Sequence, residues 1–175
     1  MRSLTVMLLA SLLAAPLCGQ RVKRDPLNDT QQEQIAEAGI DPVARVDLFV
    51  KFLNERADTI KGLAVRGHSS ARSYRLDNEL QDFSALMDEL GDNLDVYSDR
   101  KADIRKSLKG LNESIQRWRA VLTGLPSEPG FELSRQDALE SSNDLADQAK
   151  QLTADQIAYF NLHKDEKGQD RAEPK

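Results

Sequence analysis

Cysteine is almost missing from this chain, which has one in 175 residues, at position 18. A single thiol forms no internal disulfide, so a hydrophobic core has to hold any folded structure. Histidine is nearly as scarce, and His68 and His163 are the only two. Neither belongs to a Glu-x-x-His or His-x-x-x-His pattern, which are spacings typical of zinc and di-iron sites. The sequence therefore predicts no bound metal.

Sequence motifs of catalysis and cofactor binding are also missing. The paired serines at 69–70 and 141–142 lack the Gly-x-Ser-x-Gly elbow of hydrolases. No Cys-x-x-Cys-His is present to attach haem, and glycines fall mainly where helices end rather than in a phosphate-binding loop. We therefore expect no cofactor and no enzymatic activity. The alternative hypothesis is a cofactor carrier or enzyme whose site is assembled between helices.

Positive charge is in deficit, with 24 Lys and Arg against 29 Asp and Glu and a net charge of −5. This balance argues against non-specific binding to nucleic acid or to an anionic membrane, since both need a basic surface. Six carboxylates lie at helical spacing and could form a patch for a basic partner, but pairing with nearby Lys and Arg residues in a solvated face explains them better. These carboxylates are Asp88, Glu89, Asp92, Asp95, Asp99 and Asp103.

Residues 1–19 have the layout of a secretory signal peptide. Arg2 precedes an apolar run from Val6 to Leu17. That run is too short to cross about 30 Å of hydrocarbon as a permanent helix. Leu17 and Gly19 suit signal-peptidase cleavage, so the mature chain is expected to begin near Gln20 and to be periplasmic or secreted.

Two alternative fates of the N-terminal region stay open. Cys18 could be the lipidated first residue of a bacterial lipoprotein, although Ala15-Pro16-Leu17 departs from the usual lipobox. Arg21–Arg24 resembles the Arg-x-Lys-Arg site of proprotein convertases, although a short basic cluster in an unstructured leader explains it as well. We favour a leader over residues 20–29 without lipidation.

Every long segment beyond the leader has helical periodicity, and no window alternates as a strand does. A Thr30–Glu33 capping box predicts a short helix that Gly39 ends, with Ile40 making an apolar contact at the stop. Asp41-Pro42 predicts the next N-terminus. We expect an all-α, up-down-up-down four-helix bundle at residues 30–163, with long helices at 42–66, 70–97, 99–123 and 134–163, and a polar, disordered tail at 164–175.

Apolar residues recur at intervals of three and four, as in coiled coils, and define the expected core. The first stripe comprises Val46, Val50, Leu53, Ala57, Ile60 and Ala64, widened by Phe49 and Leu63. The second comprises Leu76, Leu80, Phe83, Met87, Leu90, Leu94 and Tyr97. The third comprises Ile104, Leu108, Leu111, Ile115, Trp118, Leu122 and Leu125. The last comprises Ala138, Leu139, Leu145, Ala149, Leu152, Tyr159 and Phe160.

The second and third stripes share one register through Lys101, which leaves two topologies open. One is a continuous helix over residues 71–123, a rod of about 80 Å with flanking helices packed on it. The other is a turn at Tyr97–Asp99, with Ser98 or Asp99 capping the following helix. We favour the turn because it yields helices of nearly equal length. After the loop at 124–130, Ser134 is the expected cap of the last helix, with Asp137 at N3 and Leu133 packed on Ala138.

One short stretch combines positive charge with an aromatic side chain. Arg66, Arg72 and Arg75 flank Tyr74, and Trp118 is the only tryptophan. These five residues are our candidate interaction surface, since aromatic and arginine side chains dominate binding hot spots. For Trp118, burial on the core stripe is the favoured alternative. We therefore expect an exported, non-enzymatic helical interaction protein that binds an unknown protein or envelope component, with homo-oligomerisation left open.

N-terminal sequencing of exported protein should give a first residue between Cys18 and Gln20, or Asp25 if the basic cluster is cleaved. Labelling with a fatty-acid analogue should be equal for the wild type and Cys18→Ala. A cytoplasmic protein that still starts at Met1 would contradict the predicted export.

Overall fold

The computed structural model describes residues 25–164, and these form five α-helices with no strand among them. The helices are α1 (Asp29–Glu37), α2 (Pro42–Ala64), α3 (Ser70–Asp99), α4 (Arg105–Thr123) and α5 (Glu132–Leu162). The predicted all-α class is confirmed. The predicted signal peptide, its lipidation and cleavage sites, Arg21–Arg24 and the tail beyond Lys164 lie outside the described residues.

The helices pack in a defined set of pairs. The backbone of α2 lies against α3 and α4, the backbone of α5 also lies against α3 and α4, and α1 rests on α2. Among the described helices, α3 and α4 follow each other in the chain but their backbones make no direct contact. They meet only through side chains at the centre of the core, where the rings of Phe83 and Trp118 stand edge to face at 5.9 Å between centroids. Such a pair stabilises the core beyond its buried area.

The predicted apolar stripes form the hydrophobic core. Phe83, Leu90, Leu108, Ile115 and Leu152 are all at most 5% exposed, so their predicted burial is confirmed. Every residue of the second and third stripes is buried, whereas Val50, Ala64, Leu139 and Tyr159 of the others are half-buried. The core also takes in apolar residues outside the predicted stripes, among them Phe52, Leu86, Ala102 and Phe131.

The chain breaks between α3 and α4, so the alternative of one continuous helix over residues 71–123 is wrong. Lys101 has a φ of 55°, a left-handed conformation that cannot continue an α-helix. The amide of Ala102 then donates to the carbonyl of Tyr97 at 2.9 Å, and Ala102 and Ile104 are fully buried. The predicted caps are also wrong, because Ser98 and Asp99 lie in the last turn of α3 and α4 begins after Ile104 without a side-chain cap.

A buried glutamine of α5 takes the place of that cap. The side-chain oxygen of Gln156 accepts from the amide of Ile104 at 3.1 Å, and its nitrogen donates to the carbonyl of Ala102 at 2.7 Å. Gln156 is only 4% exposed, so water does not replace these bonds. The side chain of Gln156 therefore provides a partner for the Ile104 amide and for the Ala102 carbonyl, and these two bonds join the turn to α5.

The first helix begins earlier than expected. Its N-cap is Asn28, which shares a capping box with Gln31, so the predicted Thr30–Glu33 box is wrong. Leu27 is buried in the core, and this contact fixes the chain just before the helix, within the expected leader. Gly39 ends α1 as predicted, with a left-handed φ of 58° directly after the C-cap residue Ala38. Ile40 is 83% exposed, so its predicted apolar contact is wrong. Asp41 caps α2 as predicted, accepting from the amides of Val43 and Ala44.

The last helix also starts before its predicted cap. It begins at Glu132, and Ser134 lies inside its first turn, where the hydroxyl donates to a carboxylate oxygen of Asp77 at 2.6 Å. Glu132 holds that turn by accepting from the Arg135 guanidinium. Leu133 is 63% exposed, so its predicted contact with Ala138, which is fully buried, is wrong.

Replacing Gln156 with Ala should lower the free energy of unfolding by about 1–3 kcal/mol, because the amide of Ile104 and the carbonyl of Ala102 lose their buried partner. Urea unfolding measures this change. The exposed Gln151, whose side chain bonds only Asp155 within the described residues, is the matched control. Gln151→Ala should stay within about 0.5 kcal/mol of the wild type. Equal effects of the two substitutions would contradict the role of Gln156.

Candidate interaction surface

The predicted basic stretch lies where α2 ends, α3 begins and the loop between α4 and α5 passes. Ser69 starts α3 by accepting the amide of Arg72 at 3.1 Å on its hydroxyl. Gly130 brings the loop against α3, since a side chain at that position would meet the β-carbon of Ser73 at 3.0 Å. A groove of about 580 Å³ results, lined by His68, Ser69, Ser70, Ser73, Tyr74, Asp77 and Gly130.

Arg72 belongs to the interior, so its predicted place on the interaction surface is wrong. It is 5% exposed, and its guanidinium donates to the carbonyls of Leu63 at 3.1 Å and Ala64 at 3.3 Å, in the last turn of α2. The same group pairs with both oxygens of Glu128 at 3.0 Å. The carbonyls that end a helix need donors, and a buried arginine that supplies them must also have a counter-charge. Arg72 meets both needs and joins α2, α3 and the loop.

Glu128 completes this link from the loop side. Its carboxylate also lies 3.2 Å from Nδ1 of His68 and accepts from the hydroxyl of Ser73 at 3.4 Å. Desolvation alone would raise the pKa of Glu128, but the hydrogen bonds and positive charge of Arg72, assisted by His68, outweigh it and lower that pKa below its usual value. The carboxylate therefore stays ionised beside Arg72.

Trp118 is also absent from the surface. It is 1% exposed, lies edge to face with Phe83, and donates its indole N–H to Oδ1 of Asn54 at 2.9 Å. The favoured alternative of burial is therefore confirmed. Because Asn54 of α2 accepts the indole N–H, the one polar group of the tryptophan side chain has a partner although it lies in an apolar stripe.

Arg66, Tyr74 and Arg75 are the predicted residues that solvent reaches. Tyr74 is 68% exposed, and within the described part of the chain neither guanidinium has a hydrogen-bonding or ionic partner. Val65, at 81% exposure, and Leu133, at 63%, add apolar area at the same end of the molecule. Sequence reasoning missed these two. Val65 follows the last apolar residue of its stripe, and Leu133 was assigned to a helix cap.

Within residues 25–164, no three His, Cys, Asp or Glu side chains lie together where they could hold a metal ion. None of the five helices combines the length and hydropathy required to cross a membrane. Comparisons with protein-family models, curated proteins and solved structures find no match to this chain.

A second ionised carboxylate secures the far end of the loop. Hydrogen bonds from Arg135, opposed by desolvation and supported by Gln136 and Ser127, lower the pKa of Glu132 to about 2. Glu128 and Glu132 thus both have folded-state pKa values below the ordinary value of 4.5. Such groups stabilise the fold fully above pH 4.5, and this contribution is lost as the pH falls towards the folded-state pKa.

We therefore expect the urea midpoint to fall between pH 4.5 and pH 2, and the double variant Glu128→Gln, Glu132→Gln to weaken that fall. At pH 7 the variant should be less stable than the wild type, because Arg72 and Arg135 lose their counter-charges. Asp58→Asn, at an exposed site of α2 away from the loop, is the control. Identical pH profiles for the double variant and the wild type would refute this role.

Proposed function

We propose that this chain is an exported, non-enzymatic binding protein that recognises a protein partner through Val65, Arg66, Tyr74, Arg75 and Leu133, called the helix-end surface below. The observation that carries this proposal is the 68% exposure of Tyr74 beside the groove. An exposed aromatic side chain, with two further exposed apolar side chains at the same end of the molecule, is costly in water and typical of an anchor for a partner.

The charge of the helix-end surface defines the class of partner. Arg66 and Arg75 lack ionic partners in the described residues, whereas the nearby carboxylate of Glu128 is paired with Arg72. The carboxylate of Asp77, which lines the groove, accepts hydrogen bonds from the neutral side chains of Ser134 and Gln81 and keeps its charge. The surface therefore offers positive charge and apolar area in an otherwise acidic chain. An acidic protein segment with an apolar or aromatic residue satisfies both features.

The residues that support the helix-end surface are held together by hydrogen bonds, which favours a role in binding. Arg72 fixes the C-terminus of α2, the first turn of α3 and Glu128 of the loop in one hydrogen-bonded set. Tyr74 follows Arg72 by two residues on the same helix. A preorganised anchor loses less conformational entropy when a partner binds.

For the architecture we propose an up-down-up-down four-helix bundle with α1 packed outside it. Polar contacts support the directions: Ser107 with Val43 and Trp118 with Asn54 make α2 and α4 parallel. Ser134 with Asp77 and Gln148 with Gly91 make α3 and α5 parallel. Around the bundle the order is α2, α3, α5, α4, so consecutive α3 and α4 lie on a diagonal. This arrangement buries each stripe against two neighbours.

Photo-crosslinking in the native host tests the proposed binding. A benzophenone amino acid at position 74 should capture a discrete partner, whereas the same probe at exposed Asn143 of α5 should not. Tyr74→Ala should weaken recovery of that partner by at least about tenfold, as expected for a hot-spot aromatic. Elemental analysis and absorbance spectra of the purified protein belong to the same test.

Equal capture at positions 74 and 143 would overturn the proposed surface. One equivalent of tightly held metal, or a visible chromophore, would instead support the alternative of a cofactor carrier or enzyme with a site between helices. Circular dichroism of each variant confirms that the helices are intact.

A further inference from the structure

The charged residues of this chain are sorted by helix. α3 carries eight acidic residues and two arginines, and α5 carries six acidic and two basic residues. α4 is the reverse, with five basic residues and one acidic residue, Glu113. α3 packs on α5 and makes no backbone contact with α4, whereas α5 packs on both. The outer surface of α4 and the groove between α3 and α5 therefore lie on different sides of the described helices.

The acidic side centres on a groove between α3 and α5. Asp88, Asp92 and Asp144 are exposed along this groove of about 410 Å³ and have no basic partner within the described residues. Asp95 accepts from the neutral amide of Gln148 at 2.6 Å, which leaves its charge unbalanced. The buried side chains of Met87 and Leu145 form the apolar base of the groove. We call this side the acidic face.

The basic side is the outer surface of α4. Lys106 and Lys109 are exposed one turn apart and have no anionic partner in the part of the chain that the structure describes. Arg117 lies further along the same helix surface, and its guanidinium bonds the neutral side chains of Ser114 at 2.9 Å and Asn54 at 3.4 Å. Residues 106 to 117 span about 16 Å of helix. We call this side the basic face. Glu113, between Lys109 and Arg117, is the one carboxylate of α4. Three carboxylates of α2 border the basic face, in the groove beside Ser107 and Gly110: Asp47, Glu55 and Asp58.

We propose that the basic face of one copy of this chain docks on the acidic face of a second copy. The charges on the two faces are opposite, and Asp88, Asp92, Lys106 and Lys109 form no ion pair within the described residues of their own copy. A free anionic polymer or an anionic membrane would engage the basic face alone, whereas a second copy satisfies both faces. The contact joins two different surfaces, so each added copy leaves one basic and one acidic face open, and assembly proceeds head to tail.

The contact is electrostatic and therefore depends on salt. Each copy carries a net charge of −5, which repels at long range, but opposite faces attract at close approach. Sedimentation velocity should show concentration-dependent association at about 10 mM salt, with the apparent dissociation constant at least about tenfold higher at about 150 mM, where screening shortens the Debye length from about 30 Å to about 8 Å.

Variants that reverse one face at a time provide the decisive experiment. Lys106→Glu, Lys109→Glu removes the basic face, and Asp88→Lys, Asp92→Lys removes the acidic face. Each variant alone should remain monomeric at about 10 mM salt. An equimolar mixture should associate again, because the acidic face of the first variant meets the basic face of the second and the two reversed faces also carry opposite charges.

Lys61→Glu, Lys164→Glu is the matched control, since it reverses two exposed lysines outside both faces and should associate as the wild type does. A wild type that stays monomeric at low salt would overturn the proposal. So would association that the face variants retain, or a mixture that does not associate. Loss of association in the control as well would attribute the effect to net charge and would likewise overturn it.

Discussion

Burial of the apolar stripes of α2–α5 in one core is the constraint on which the described structure depends. The chain has one cysteine, so no internal cross-link shares this task. α3 and α4 do not pack backbone to backbone, and the rings of Phe83 and Trp118 join them edge to face. Large aromatic rings can reach across a diagonal where leucines cannot, and they fill the centre left by the surrounding helices.

Once the core is formed, polar groups at its ends have to be satisfied without water. Two buried side chains do this at opposite ends: Gln156 serves the turn before α4, and Arg72 serves the end of α2. Gln156 bonds backbone atoms of the turn before α4, and Arg72 bonds backbone carbonyls at the end of α2. These bonds give the buried polar groups their partners and also fix the position of each segment. The loop that shapes the groove beside Tyr74 is ordered through the same Arg72, by way of Glu128. The helix-end surface therefore depends on the hydrogen bonds that join the end of α2, the start of α3 and the loop before α5.

Periodicity predicted the helices and the core well, because burial of an apolar stripe leaves a regular trace along the chain. Helix ends were predicted less well, since several residue types can cap and tertiary contacts choose among them. Leu27 in the core selects Asn28 over Thr30, and Ser134 is taken by Asp77 of another helix. The same reason explains Arg72 and Trp118: their partners, Glu128 and Asn54, are more than 50 residues away in sequence. Local sequence could not reveal those pairings, whereas the exposure of Arg66, after the end of α2, and of Tyr74 and Arg75, near the start of α3, agrees with their predicted place on a surface.

The net charge of the chain does not show how its charges are distributed, because folding places acidic and basic residues on different helices. Six carboxylates over residues 88–103 were expected to pair with nearby Lys and Arg residues, and this is true of Asp103 with Arg105. Because the chain turns at Lys101, Lys106 and Lys109 lie on α4, whose backbone does not contact α3. They therefore do not pair with Asp88 and Asp92 of α3. A continuous helix would have kept these opposite charges on one rod. The turn that Gln156 holds therefore also determines the distribution of charge. A chain with a net charge of −5 has a strongly basic helix, α4, on one side of its core.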